Sequence, residues 1–341
     1  MTVVLWTLAA LWLSALLSPS MDDGLAQGGI IAIVVLGLTW LTGWSGQISI
    51  GNSGFMAFGG YTVAIWASHH ATTPIVISLL MATAIGALSG LILGIPATRL
   101  RGPYLAGLTL AFGAIISPLA QEFSSWTGGP SGELFINNLV TPGWYQNLFS
   151  GANAQIVANA KYPTDLVIVV AGICFLLMAN LFHSRVGRAM RLVRDDDVSA
   201  ELMGVNLGRT RTLAFVIAAG LGGLAGGLQV LLIGNIFPSS FPLTLSITIL
   251  ALMVIGGIGT LTGAVYAGLI YSFISNIISW LENTLSINQT SNFGLSFQNL
   301  IFGILLIGTI MLAPRGIAGG LISARQALLR RLRTAHDTKV S

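Results

Sequence analysis

The chain has 341 residues with 15 Lys plus Arg and 11 Asp plus Glu, so 8% are charged, against roughly 25% in a soluble globular domain. Apolar residues make up 54% and the mean hydropathy is +0.84, which leaves too few charges to cover a water-facing surface. This excludes a soluble enzyme, a disordered chain and a disulfide scaffold; one cysteine, Cys174, makes neither an intrachain disulfide nor a thiolate cage. The apolar runs are long and unalternated, unlike the strands of a membrane barrel. The fold class expected is all-α, a polytopic integral membrane helical bundle with about 8–10 transmembrane helices.

Taken in chain order, the apolar runs and their Gly, Pro or polar breaks predict spans near 3–18, 28–42, 54–68, 74–95, 103–121, 163–182, 212–234, 242–257, 260–280 and 297–313. Residues 24–98 and 212–281 hold no charged side chain at all. The first run lacks a basic leader and a small-residue cleavage site, so it is read as a span and not as a signal peptide. The runs 54–68 and 242–257 are short and are candidates for halves of broken helices. Two glycine-rich stretches flank them: GWSGQISIGNSGFMAFGG at 43–60 and GGIGTLTGAVYAG at 256–268. One glycine-interrupted segment in each half points to a pair of related breaks beside a pathway. Another stretch, GLGGLAGG at 220–227, has the small-xxx-small spacing of close helix packing.

The basic residues orient these spans. Fourteen of the fifteen fall in three clusters: Arg99 and Arg101; Arg185, Arg188, Arg191, Arg194, Arg209 and Arg211; and Arg315 through Lys339. Basic loops stay in the cytoplasm, and even numbers of spans separate the clusters, so all three are expected on that side, with both termini inside. The opposite side is acidic and aromatic, with Asp22, Asp23, Glu122, Glu133 and Asp165 beside Trp126, Trp144, Tyr145 and Tyr162. The expected organisation is a transmembrane domain over 1–314, with a cytoplasmic loop at about 183–211 and an outer loop at about 122–162. A basic cytoplasmic tail follows over 315–341. In the outer loop, TGGPSG at 127–132 and NNLVTPGW at 137–144 predict ordered turns.

The stretch VGRAMRLVRDDDVSAELMG at 186–204 is too helix-prone for a linker. Asp195, Asp196 and Asp197 suit the start of a helix. Val198, Leu202 and Val205 form an i, i+4, i+7 apolar stripe, and Gly204 is placed to end the helix in the left-handed conformation. Such a helix either lies at the lipid interface or docks into another protein. The chain has no G-x-x-x-x-G-K-[ST] phosphate loop, no G-x-S-x-G and no HExxH, and no nucleophile–base pair is evident. Apart from Asp165 at the outer end of the run 163–182, the spans carry no Asp, Glu, Lys or Arg of the sort ion-coupled carriers keep. Neutral polar residues stand in or beside them: Gln47, Ser49, Asn52, Ser53 and Thr109, with Ser117, Gln229, Asn235, Thr248 and Asn276 further along. Each either lines a pathway or bonds a neighbouring helix.

With these blocks in order, and with LRGPYLAGLTLAFG at 100–113, the chain from about 28 to 319 resembles the LivM-type permease subunits of branched-chain amino acid ATP-binding cassette (ABC) importers. The resemblance implies a homologous second permease subunit, two cytoplasmic ATP-binding subunits, an external solute-binding protein and a bacterial inner-membrane location, and no nucleic acid. It implies no cofactor or metal on this chain, the ATP being bound by the partner subunits, and no enzymatic activity of its own. The loop residues Arg194, Asp195, Asp196, Asp197, Ala200, Glu201 and Gly204 correspond to the helix that couples ATPase to permease. Related importers carry a glutamate-Ala-Ala triplet followed by Gly; here Val198-Ser199-Ala200 precedes Gly204, so the resemblance carries over the helix and Gly204 but no specific ion pair. Gln47, Ser49, Asn52, Ser53 and Thr109 are the candidate substrate-pathway residues. The same family includes permeases for urea and short amides, and a reading of a different class, a self-sufficient carrier or channel, also fits a helical membrane bundle.

Overall fold

The computed structural model describes residues 19–69, 74–100, 102–129, 132–134, 145, 154–285, 293–312 and 316–319. Helix α1 (Pro19–Leu38) continues into a π-helical turn (Thr39–Trp44). After a non-helical stretch at 46–51 come α2 (Asn52–His69), α3 (Ile75–Ala97) and α4 (Pro103–Glu122). A single turn, α5 (Ser124–Thr127), and the strand β1 (Glu133–Leu134) lie on the way to α6 (Ala154–His183). Two short helices follow, α7 (Arg185–Asp195) and α8 (Asp197–Leu202), then α9 (Leu207–Ile233). The strand β2 (Asn235–Ile236) pairs antiparallel with β1, and α10 (Leu243–Gly256), α11 (Leu261–Leu285) and α12 (Phe293–Leu312) complete the described bundle.

Nine of the predicted runs are helices among the described residues; the run 3–18 lies outside them. Among the described residues, six helices are long and apolar enough to cross a membrane. Helix α10, with 14 residues, is about 21 Å long at 1.5 Å per residue, short of a hydrocarbon core of about 30 Å. The all-helical outcome has a plain cause: in lipid each backbone N–H and C=O must be satisfied within its own segment. The chain is a multi-pass membrane protein of helical fold.

Helix α1 is the axis of the bundle, with 83% of its apolar window buried, against 28–61% for the other five long spans. Glycines on three of its sides admit three neighbours. A Cβ on Gly28 would sit 2.6 Å from the Gly268 carbonyl oxygen of α11, one on Gly29 2.9 Å from Val167 of α6, and one on Gly37 3.0 Å from the Ala218 carbonyl oxygen of α9. The stretch 220–227 works the same way toward α2 and α3, where Gly223 faces Gly59 and Gly86, and Gly226 meets the Met56 carbonyl. By contrast α3 leaves Val76, Leu80, Ile92 and Ile95 exposed, a face suited to lipid. Cys174 is buried in α6.

Contacts gather the described parts of the basic segments at one end. Thr212 Oγ1 donates to the Gly94 carbonyl at 3.4 Å, close to Arg99, and Gln47 Nε2 donates to the Arg211 carbonyl at 3.4 Å. Gly316, next to the third cluster, packs on Gly257. Lys161 lies at the other end, 3.9 Å from Asp22. There Thr164 Oγ1 donates to the Asp22 carbonyl at 3.5 Å and Tyr145 OH donates to Asp165 at 2.6 Å. Burial, and then the Asp165 carboxylate, raise the Tyr145 phenol above its ordinary value and keep it a donor.

Two boundaries differ from the sequence reading. The outer loop expected over 122–162 ends earlier, because α6 begins at Ala154 and carries Pro163 inside it. A proline removes one backbone donor and bends a helix, but packing of α6 against α1 keeps the helix continuous across it. The helix expected around 194–204 is in fact two helices, and Arg194 belongs to α7 and not to α8. Asp196 is the reason for the break: its backbone is extended (φ −158°, ψ 117°), ending α7 and starting α8. Of the turn motif at 127–132, Gly128, Gly129 and Gly132 are at positive φ and the Gly132 N–H donates to the Gly129 carbonyl at 3.1 Å, whereas 130–131 and 137–144 lie outside the described residues.

Candidate functional site

Helix α8 is built as a self-contained, capped turn-and-a-half. Asp196 Oδ1 accepts from the Val198 N–H at 3.0 Å and Oδ2 from Ser199 Oγ at 2.6 Å. The Ser199 hydroxyl first, and the Val198 amide second, hold this carboxylate below its ordinary range, so the cap stays ionised. At the other end the Val205 N–H donates to the Ala200 carbonyl at 3.0 Å and the Gly204 N–H to the Glu201 carbonyl at 2.9 Å. With Gly204 at φ +79° this is the paired 6→1 and 5→2 closure of a glycine-capped helix. Ala200 is fully buried and seats α8 on the bundle. Asp197 anchors it laterally: Arg211 Nη2 donates to both of its carboxylate oxygens, at 2.8 and 2.7 Å.

The outward face of α8 is apolar. Val198, Leu202 and Met203 are 65%, 85% and 72% exposed, with exposed Glu201 beside them. Val205, expected on this stripe, lies beyond the helix end and is half-buried. Asp195 closes α7 and is exposed.

Arg194 does something else. Its Nη1 donates to the Gly43 carbonyl oxygen, at the end of the π-helical turn of α1. The last carbonyls of a helix lack intrahelical donors and carry partial negative charge, so a guanidinium is a fitting cap. One turn back, Arg191 lies over the Trp44 ring, 3.5 Å from its centroid. The indole Nε1 of Trp44 donates to the Gly259 carbonyl at 2.9 Å. The two glycine-rich breaks touch here: a Cβ on Gly43 would stand 2.6 Å from Gly259 Cα. The likeness of the breaks was visible in the sequence; their contact, and the parts of Trp44, Arg191 and Gly259 in it, carried no periodic signal.

The five candidate pathway residues come together at the first break. Gln47, Ser49, Asn52, Ser53 and Thr109 are all buried. Thr109 Oγ1, on α4, accepts from the Ile50 N–H at 3.0 Å. Ser246, on α10 and absent from the sequence reading, accepts from the Ser53 N–H at 2.8 Å and donates to Ser53 Oγ at 2.8 Å. Gln47 Nε2 donates to Ser45 Oγ at 2.8 Å as well as to the Arg211 carbonyl. Thr109 and Ser53 therefore clamp the non-helical stretch 46–51 and the start of α2 between α4 and α10. Ser49 Oγ, Asn52 Nδ2 and Gln47 Oε1 are buried with no hydrogen-bond partner among the described residues. The remaining polar residues are dispersed: Thr248 Oγ1 bonds within α10 to Thr244, Asn235 is in β2, and Asn276 packs on Gly24.

Comparison with known proteins follows this geometry. LivM of Salmonella typhimurium (strain LT2), a high-affinity branched-chain amino acid transport system permease protein, is 32% identical over 256 residues, covering 71% of this chain and 59% of that protein. The chain thus spans about three-fifths of the LivM relatives it matches. LivH of the same strain is 27% identical over 313 residues (88% of this chain, 94% of that protein), and BraD of Pseudomonas aeruginosa is 26% identical over 308 residues (87% and 94%). No solved structure matches. The family described as "Branched-chain amino acid transport system / permease component" matches residues 20–310, and the chain belongs to that family.

Proposed function

We propose that the chain is one of two homologous permease subunits of an ABC importer that carries branched-chain amino acids across a bacterial inner membrane. In this reading two separate ATP-binding subunits drive transport and an external solute-binding protein delivers the substrate. The observation that carries it is α8. A six-residue helix capped at both ends, anchored through Asp197 and Arg211, exposes Val198, Leu202 and Met203 at the basic end of the bundle. Exposed apolar side chains ringed by charge mark a protein-docking patch, and Glu201, Asp195 and Asp196 supply polar rim contacts around it. The basic end, with the C-terminus, is the cytoplasmic one by the distribution of Arg and Lys.

The buried polar break around Gln47, Ser49, Asn52, Ser53 and Thr109 is the segment we assign to the substrate pathway. Its lack of charge suits a zwitterionic substrate of zero net charge. The acidic end, with exposed Glu122, is assigned to the binding protein.

The test is purification of the permease pair with its candidate ATP-binding subunits, followed by leucine uptake into liposomes with the binding protein added. ATP-dependent leucine uptake and retention of the ATPases are expected. Uptake without ATPases would assign a self-sufficient carrier, and uptake of urea or acetamide in place of leucine would reassign the substrate.

A further inference from the structure

We infer that Arg191, Arg194 and Trp44 form a mechanical linkage that delivers movement of the coupling helices to both glycine-rich breaks at once. The inference rests on the ABC-permease reading and adds to it the residues through which force passes.

The docking helix α8 does not itself touch the candidate pathway through its exposed patch; it is joined head to tail with α7 at Asp196. Helix α7 is a stiff element with its own N-cap, Ser184 Oγ accepting from the Gly187 N–H at 3.4 Å. Its buried side, Gly187, Met190 and Val193, sits on the bundle. From α7, Arg194 reaches the Gly43 carbonyl and Arg191 covers Trp44. Trp44 is held on its other sides by Phe182, whose ring meets it edge-on at 3.9 Å, and by Trp40, stacked at 6.1 Å. The indole then passes the connection to Gly259, in the turn between α10 and α11.

Two features make this a linkage and not merely packing. First, the contacted backbone is where helices end. Gly43 lies at the close of α1 and its π-helical turn, and 46–51 leads into the pathway residues; Gly259 lies just after α10, which carries Ser246 to the other side of the same residues. Second, the bonds are made to backbone carbonyls, so a displacement of α7 moves the main chain of both breaks and not only side chains. A second thread runs in parallel: Asp197 holds Arg211, whose carbonyl accepts from Gln47 Nε2. Both threads converge on the segment that begins at Gly43. Arg191, Arg194 and Trp44 are therefore positioning residues, acting on the pathway through the backbone they hold.

The experiment uses the intact transporter, with both permeases, the ATPases and the binding protein, in liposomes with radiolabelled leucine as probe. Trp44→Phe keeps the stacked ring but removes the indole donor; Arg194→Gln and Arg191→Gln remove the cap and the ring cover. Arg188→Gln is the control, since Arg188 Nη1 donates to the His183 carbonyl beside its own helix at 3.0 Å. For each, retention of the ATPases, ATP hydrolysis and leucine uptake are measured on the same preparation. The linkage predicts retention within twofold of wild type, a fivefold or greater fall in leucine carried per ATP hydrolysed for the three linkage variants, no such fall for Arg188→Gln, and partial recovery with Arg194→Lys. Unchanged leucine per ATP in Trp44→Phe and Arg194→Gln overturns the proposal. So does a fall in uptake matched by equal loss of ATPase retention, which would make α7 a docking element only. If Arg194→Gln fails to accumulate, Trp44→Phe and Arg191→Gln decide by the same ratio. A wild-type transporter that neither holds ATPases nor responds to ATP would overturn the permease reading itself, and the linkage with it.

Discussion

Replacing Gly204 by valine isolates the contribution of α8 from that of the membrane bundle. Gly204 is at φ +79° with nothing within 4 Å of where a Cβ would be built, so the added Cβ meets no clash and its penalty is conformational. For an L-residue the left-handed conformation costs roughly 1–2 kcal/mol, and a β-branched residue is a stronger outlier than alanine. A penalty of that size lowers the population ratio of the capped helix by a factor of about 5–30. The other anchors of α8, the Asp197–Arg211 pair and the buried Ala200, reach no further than its fourth residue, so Leu202 and Met203 are the residues displaced. Membrane accumulation should be unchanged, because nothing lies within 4 Å of the added Cβ, while ATPase retention and leucine uptake should both fall several-fold. The series Gly204→Asn, Gly204→Ala, Gly204→Val should grade the loss in that order, since asparagine tolerates the left-handed region best. Accumulation and uptake both equal to wild type in Gly204→Val would refute the assignment of ATPase docking to α8.

Gly226→Ala should destabilise the bundle by about 1–3 kcal/mol, because its Cβ would overlap the Met56 carbonyl, whereas Gly220→Ala, whose nearest neighbour would be Ala87 Cβ at 3.5 Å, should be tolerated; unfolding midpoints of the detergent-purified variants compare them, and equal effects would contradict the α2–α9 packing. Ser246→Ala leaves the fully buried Ser53 N–H without its acceptor and should cost about 1–3 kcal/mol. Ser53→Ala should cost less, as that N–H keeps its bond; the same assay reads the difference, and the reverse order would argue against the clamp. Reporter fusions after Arg99 and Arg211 should report cytoplasm and one after Glu122 the outside; either of the first two on the outer face breaks the orientation.

The sequence alone determined the architecture at the level of helices and their ends. Runs such as 75–97 and 207–233 are helical because lipid offers no partner to a backbone amide, and that constraint acts on each segment separately, so composition suffices to read it. Arginine clustering likewise assigns segments to one end without knowledge of packing. The tertiary structure decided what depends on which segments meet. GLGGLAGG reads as uniformly small, yet Gly226 presses on a neighbouring backbone and Gly220 does not, a difference set by the crossing of α2 and α9. Gln47, Ser53 and Thr109 read alike as polar residues near spans; their convergence required Ser246 from a helix 193 residues away in sequence from Ser53. The break at Asp196, which hands Arg194 to α7, arises because the carboxylate bonds Val198 and Ser199 in place of continuing the helix, a local choice that helix propensity does not resolve. The meeting of Gly43 with Gly259, with Trp44 and Arg194 closing over it, depends on two segments more than 200 residues apart, and long-range contacts between backbones leave no period in a sequence to be read.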